Sequence, residues 1–147
     1  MNKKGFTLLE LIIALAIGST IIATVLLSAQ GAERANRDTK RRGDANKLSS
    51  ALEQWADNKS GKYPVWGTDW SGSNGQGGAF FSQGYFKADT VTDPRTNSSY
   101  LYSNSAPSCS TPLTPPSTIY YQTHNAGRSW TIDMCLESGT YRLTSPQ

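Results

Sequence analysis

The sequence predicts an α+β chain in which a long N-terminal helix carries a small C-terminal antiparallel sheet packed on its outer half. Three observations lead there. The chain opens with an apolar run, uncharged from Leu11 to Ala29. A stripe of Ala45, Leu48, Leu52 and Trp55 at helical spacing follows, and Gly61 and Pro64 close it. Near the C-terminus, three short runs with strand character, Thr118–Thr123, Ser129–Glu137 and Thr140–Leu143, are separated by turn residues.

At about 1.5 Å per residue, a helix over the uncharged run spans roughly the 30 Å hydrocarbon core of a bilayer. Lys3 and Lys4 precede it and should stay cytoplasmic, which puts the rest of the chain outside. Two residues separate this segment from a plain anchor. Glu10 costs about 2.5–3.5 kcal/mol in a membrane helix, so it calls for a partner or a task. Gly5 stands just before Phe6 and offers a protease a small residue, whereas no A-x-A-like secretory site stands out near Gln30. A cut after Gly5 keeps the apolar segment and creates an amine on Phe6. Opposite charges 4 Å apart at an effective dielectric near 20 attract by about 4 kcal/mol, enough to offset burial of the carboxylate.

The string Lys4-Gly5-Phe6-Thr7-Leu8-Leu9-Glu10 resembles the prepilin signature of type IV pilins and type II secretion pseudopilins. The resemblance implies a pilin-like fold, cleavage between Gly5 and Phe6 by a prepilin peptidase, and N-methylation of Phe6. It further implies that Glu10 neutralises the amine of a neighbouring subunit. The expected organisation is a leader at 1–5, a transmembrane and assembly helix at 6–30, and the amphipathic helix half plus an extracytoplasmic head at 31–147. The implied partners are copies of the chain itself in a homopolymer, an inner-membrane platform protein, an assembly ATPase and minor pilins. Before assembly the chain would be a single-pass membrane protein with its head outside the cytoplasm. After assembly it would stand in a surface filament or a periplasmic pseudopilus. Many pilins carry a proline near the end of the apolar half, where this chain has Leu26 and Leu27.

Beyond the apolar segment, little more than a hundred of the 147 residues remain, enough for one small domain. The net charge of +3 gives only slender support to DNA or anionic lipid as partners. From Gln30 to Ser60 the helix should continue, with Arg34–Asp38, Asp38–Arg42 and Lys40–Asp44 spaced for i,i+4 pairs on a solvated surface. It should end near Lys59, with Gly61 as a left-handed cap.

The stretch 65–84 is rich in glycine and serine, carries Trp66, Trp70, Phe80 and Phe81, and reads as a long loop. Its rings either cover the helix stripe or form a surface for adhesion, sugar or DNA stacking, and the first reading is favoured because small domains need their large apolar side chains. Asp93-Pro94 marks a turn, Tyr100–Tyr102 a short strand, and the proline-studded run 103–117 a surface connection. In the middle strand of the meander, Trp130, Ile132, Met134 and Leu136 alternate with Thr131, Asp133, Cys135 and Glu137, so Cys135 should face outward. In an extracytoplasmic compartment a Cys109–Cys135 bridge is favoured over two free thiols, and it would tie down the proline-rich connection for on the order of 3 kcal/mol. Many type IV pilins have a C-terminal disulfide loop in the same general place.

Catalytic residues are not expected. His124 sits in a predicted turn, and no His, Cys or carboxylate cluster has metal-ligand or nucleophile spacing. Major pseudopilins bind calcium in a C-terminal loop, and Asp89 and Asp93 could supply oxygens, but Ca²⁺ takes about six to eight ligands and the acidic loop is absent. Neither metal nor cofactor is predicted. The favoured function is a structural subunit of a type IV pilus-like filament. The alternatives are a pseudopilin of type II secretion, or a minor pilin that binds DNA, a surface or a secreted protein.

Overall fold

The computed structural model describes residues 5–72, 76–105, 107–109 and 117–146. Lys3, Lys4, most of the expected leader, and much of the proline-rich connection, including Pro112, Pro115 and Pro116, lie outside the described residues. The chain divides into two compact units, Met1–Asn36 and Arg37–Gln147. One helix, α1 (Leu8–Asn58), supplies the first unit's secondary structure and continues into the second.

In the first unit the helix is uncharged from Leu11 to Ala29, and Leu11, Ile12, Leu15, Ile21, Val25 and Leu27 are all exposed. In the second unit, α1 buries Ala45, Leu48, Ala51, Leu52, Trp55 and Ala56. That is the predicted stripe, widened by two alanines on the same face. The helix stops as a Schellman-type cap, in which the Gly61 amide donates to the Ala56 carbonyl at 2.9 Å. Ser60, at φ 57°, shares the left-handed conformation with Gly61, at φ 75°.

The sheet has four strands in the order β1 (Leu101–Ser103), β2 (Thr118–His124), β3 (Ser129–Leu136) and β4 (Gly139–Thr144). The three C-terminal strands form the expected antiparallel meander. The short first strand departs from the all-antiparallel expectation: Leu101 lies opposite Thr118 and Ser103 opposite Tyr120 in a parallel pair, so the sheet is mixed. Parallel neighbours need a crossover of about a dozen residues. The connection between Ser103 and Thr118 is long enough to return the chain to the start of β2.

Ile119 and Tyr121 of β2 and Trp130, Ile132 and Met134 of β3 share one core with the helix stripe. The other face of β3 is less polar in its surroundings than the alternation suggests, because Asp133 and Cys135 are also buried. Arg142, opposite Asp133 in the register, forks onto its carboxylate at 2.6 and 3.1 Å, and Cys135 is bonded to Cys109. The β3–β4 turn falls at Glu137-Ser138, one residue earlier than expected, since Leu136 already pairs with Gly139.

The aromatic stretch is more ordered than a plain loop. The Val65 carbonyl accepts from the Asp69 and Trp70 amides, and a four-residue helix, α2 (Ala79–Ser82), carries Phe80 inward. Gly78 makes that approach possible: its φ is 92°, and a Cβ there would run into the Asp69 carbonyl. Trp70 and Phe80 are fully buried, stacked at 5.1 Å, and Trp55 meets Phe80 edge-on at 5.8 Å. These rings therefore cover the helix stripe.

Candidate functional site

Helix α1 starts two residues after Phe6 because Thr7 caps it. The Thr7 hydroxyl accepts from the Glu10 amide at 3.3 Å, and the Thr7 carbonyl accepts from the Leu11 amide at 3.3 Å. Thr7 and Glu10 have the spacing of a capping box. That signal was open to sequence reading, yet Thr7 was passed over. Only the hydroxyl half of the box forms, and the Glu10 carboxylate has no hydrogen-bond partner among the described residues. Its place in the first turn sets a negative charge beside the positive end of the helix dipole.

Gly5 and Phe6 precede the helix and are exposed, Phe6 at 84%. A bond outside a helix can enter a protease cleft in extended form, whereas one inside would first have to unwind. Along the rest of the segment, Ser19, Thr20 and Thr24 return their hydroxyls to the carbonyls of Ala16, Ile17 and Ile21 at 2.8–2.9 Å. These groups are satisfied within the helix. Glu10 is the only charged side chain between Gly5 and Ala32, and it is not.

The second unit holds a charged cluster that sequence reading placed on a solvated surface. Arg41 is 1% exposed, and its guanidinium reaches Asp38 at 3.3 Å, Asp93 at 3.4 Å and Glu137 at 3.4 Å. Arg37 forks onto both oxygens of Glu137, 100 residues later, at 2.6 and 2.9 Å. Asp38 accepts the backbone amides of Glu137 and Ser138 at 2.8 and 3.0 Å, which fastens the β3–β4 turn to the helix. The expected i,i+4 pairs are replaced by i,i+3 pairs, Asp38 with Arg41 and Asp44 with Lys47, because the acids turn toward the head rather than along the helix.

Burial pushes the Asp38 carboxyl up, but hydrogen bonds from Ser138 and Glu137 and the charge of Arg41 outweigh it and hold its pKa below 3.8. Burial likewise raises Asp93, and contacts from Ser117, the Arg95 amide and Arg41 overcome it. For Glu137, the hydrogen bonds from Arg37 are the main cause that holds it below 4.5. All three acids are therefore ionised partners of the arginines at neutral pH. Asp93 is spent on this structural role. Asp89 stands apart and exposed in a 3-10 turn, Ala88–Thr90. Among the described residues, no three His, Cys, Asp or Glu side chains gather as metal ligands would.

Cys109 and Cys135 form a disulfide with their Cα atoms 5.4 Å apart. His124 ends β2, exposed, with Nε2 3.2 Å from the Thr131 hydroxyl. Gly5, Phe6 and Glu10 thus lie together at the start of the chain, while the cysteines and the histidine belong to the other unit.

Comparison with protein families matches residues 1–26 to the prokaryotic N-terminal methylation motif. Comparison with curated proteins and with solved structures gives no match. The matched residues include the exposed Gly5-Phe6 bond, the Thr7 cap, Glu10 and most of the apolar helix. Through residues 1–26 the chain bears the N-terminal methylation signature of type IV pilins and pseudopilins.

Proposed function

We propose that this chain is the structural subunit of a type IV pilus-like filament, cleaved after Gly5, N-methylated at Phe6 and polymerised through its N-terminal helix. One observation carries the reading: a helix long and apolar enough to cross a membrane, exposed along its first unit, bears a carboxylate without a partner among the described residues. Lipid can cover the apolar side chains of the precursor, and copies of the helix can replace lipid in the filament. Neither supplies a cation for Glu10. The amine released at Phe6 of a neighbouring copy does, and the pair then fixes the axial register between subunits.

In the second unit Trp70 and Phe80 are consumed by the core, which supports a structural role for these two rings of the aromatic stretch. The test is mass spectrometry of filaments sheared from the source cells. The expected result is an abundant chain that begins at methylated Phe6. A processed chain confined to the membrane fraction, or found only in traces among other subunits, would replace this reading with a pseudopilin or a minor pilin.

A further inference from the structure

Strand β2 runs past its last pairing with β1, at Ser103 opposite Tyr120, while it stays paired with β3 as far as His124. Beyond that point no strand among the described residues pairs with its edge, which borders a cleft of about 410 Å³, lined by Trp66, Asn104, Tyr121, Gln122, Thr123 and His124. The volume falls within the roughly 300–1,000 Å³ of small-molecule sites. We propose that this cleft binds the ring of a neutral sugar, with Trp66 as the stacking platform and Asn104, Gln122, Thr123 and His124 as its hydrogen-bonding rim.

The platform is rigid. Trp66 lies on Trp70 at 5.7 Å, and Trp70 lies on Tyr121 at 4.2 Å, so the ring at the cleft is the outermost of a stack whose inner members are fully buried. Tyr121 is itself fixed by its hydroxyl, which donates to the Pro64 carbonyl at 2.7 Å. Trp66 is half-buried, unlike the other three tryptophans of the chain, all of which the core absorbs. An aromatic face held in this way offers apolar contact to the C–H face of a pyranose without the entropy cost of ordering a mobile side chain.

The rim has matching chemistry. The Gln122 amide nitrogen donates to the Asn104 and Ser105 carbonyls at 3.2 Å each, which holds the chain after β1 against the cleft and sets the Gln122 amide oxygen in place. The side chains of Asn104 and Thr123 have no hydrogen-bond partner among the described residues. Planar amides, a hydroxyl and an imidazole suit the donor and acceptor pattern of sugar hydroxyls. Among the described residues no Lys, Arg, Asp or Glu lines the cleft, which leaves nucleic acid and acidic glycans without their phosphate or carboxylate partners. An extended peptide could add to the open edge of β2, but it would have to displace the two bonds made by Gln122.

The test uses the full chain in a detergent without a sugar headgroup, with saturation-transfer NMR against glucose, galactose, N-acetylglucosamine and their disaccharides. Transfer to at least one of these is expected, with a dissociation constant on the order of millimolar. Trp66→Ala and Asn104→Ala should each weaken it, the first by roughly tenfold. Near-UV circular dichroism checks that the stack survives, and Asn104→Ala keeps the test open if Trp66→Ala disturbs Trp70. The proposal is overturned if no neutral sugar registers, if both variants bind as the parent does, or if an extended peptide competes the sugar away by pairing along β2. The filament reading above stands or falls separately, since it rests on the other unit.

Discussion

Replacing Arg41 by Met should destabilise the head more than any single apolar truncation on its surface. Arg41 is 1% exposed and stands among Asp38, Asp93 and Glu137, of which Asp93 is fully buried. Met keeps the length and the apolar stem but removes the cation that Asp38 and Asp93 share, while Glu137 keeps its fork with Arg37. Breaking a buried pair in this way costs about 3–5 kcal/mol, mainly because the surviving charge remains desolvated. With a urea dependence of about 1–3 kcal/mol per molar for a small domain, the midpoint should fall by roughly 2 M. The assay is intrinsic fluorescence of the full chain in zwitterionic detergent. All four tryptophans lie between Trp55 and Trp130, so the signal reports the second unit and is blind to the membrane helix. Arg41→Lys separates charge from geometry: a single ammonium cannot reach three carboxylates at once, and about half the loss should remain. A midpoint shift below about 0.5 M for Arg41→Met would refute the reasoning, because it would mean that water already screens the cluster.

Three further outcomes follow from the same geometry. Because Asp38, Asp93 and Glu137 are held below their ordinary values of 3.8 and 4.5, their contribution is complete at neutral pH and is lost as pH falls through the folded-state pKa values; stability measured by urea titration should be level from pH 7 to 5 and decline below about 4. Glu10→Ala should leave membrane insertion intact and abolish filaments, scored by electron microscopy of sheared material, and filaments of normal length would defeat the pairing argument. Reduction of Cys109–Cys135, 26 residues apart, should cost about 3–3.5 kcal/mol in the chain-entropy account and expose the connection before β2 to limited proteolysis, read by mass spectrometry of the fragments.

The two helix halves and the C-terminal meander were legible in the sequence because each is encoded by a local period. Leu48, Leu52 and Trp55 recur on a helical face, and Trp130, Ile132 and Met134 recur at every second position of a strand. β1 has only three residues, Leu101–Ser103, too few to display a period, and its parallel pairing depends on where the proline-rich connection returns the chain. The misjudged charges have a similar cause. Asp38 and Arg41 sit among alternating charges that resemble a solvated helix face, and their burial is decided by Asp93 and Glu137, far along the chain. Nothing local announces that. In the aromatic stretch, composition alone could not sort Trp70, which the core takes, from Trp66, which borders a cleft. At the N-terminus the reverse holds: Gly5, Phe6 and Glu10 fall within one short signature, so the candidate site needed no fold to be proposed.

In the proposed filament, the exposed side chains of the first unit give a reason for a charge there. Phe6, Leu8, Leu9 and the ten large aliphatic residues from Leu11 to Leu27 each represent about 1.5–3 kcal/mol of burial relative to water. In a bilayer, lipid would already supply that energy, so the proposed transfer to a filament would exchange one apolar surrounding for another and gain little from hydrophobicity. Van der Waals packing can favour close helices, but a smooth apolar rod fits its neighbours equally well at several axial offsets. The hydroxyls of Ser19, Thr20 and Thr24 cannot select among them, since each is bonded within its own helix. Glu10 can. Its carboxylate lies in the first turn, free of partners among the described residues, and a fixed cation on a neighbouring chain satisfies it at one offset while every other offset leaves it bare in an apolar medium. The energy gap between those states, several kcal/mol at low dielectric, falls entirely on register, which is the property that a helical filament must hold constant along its length.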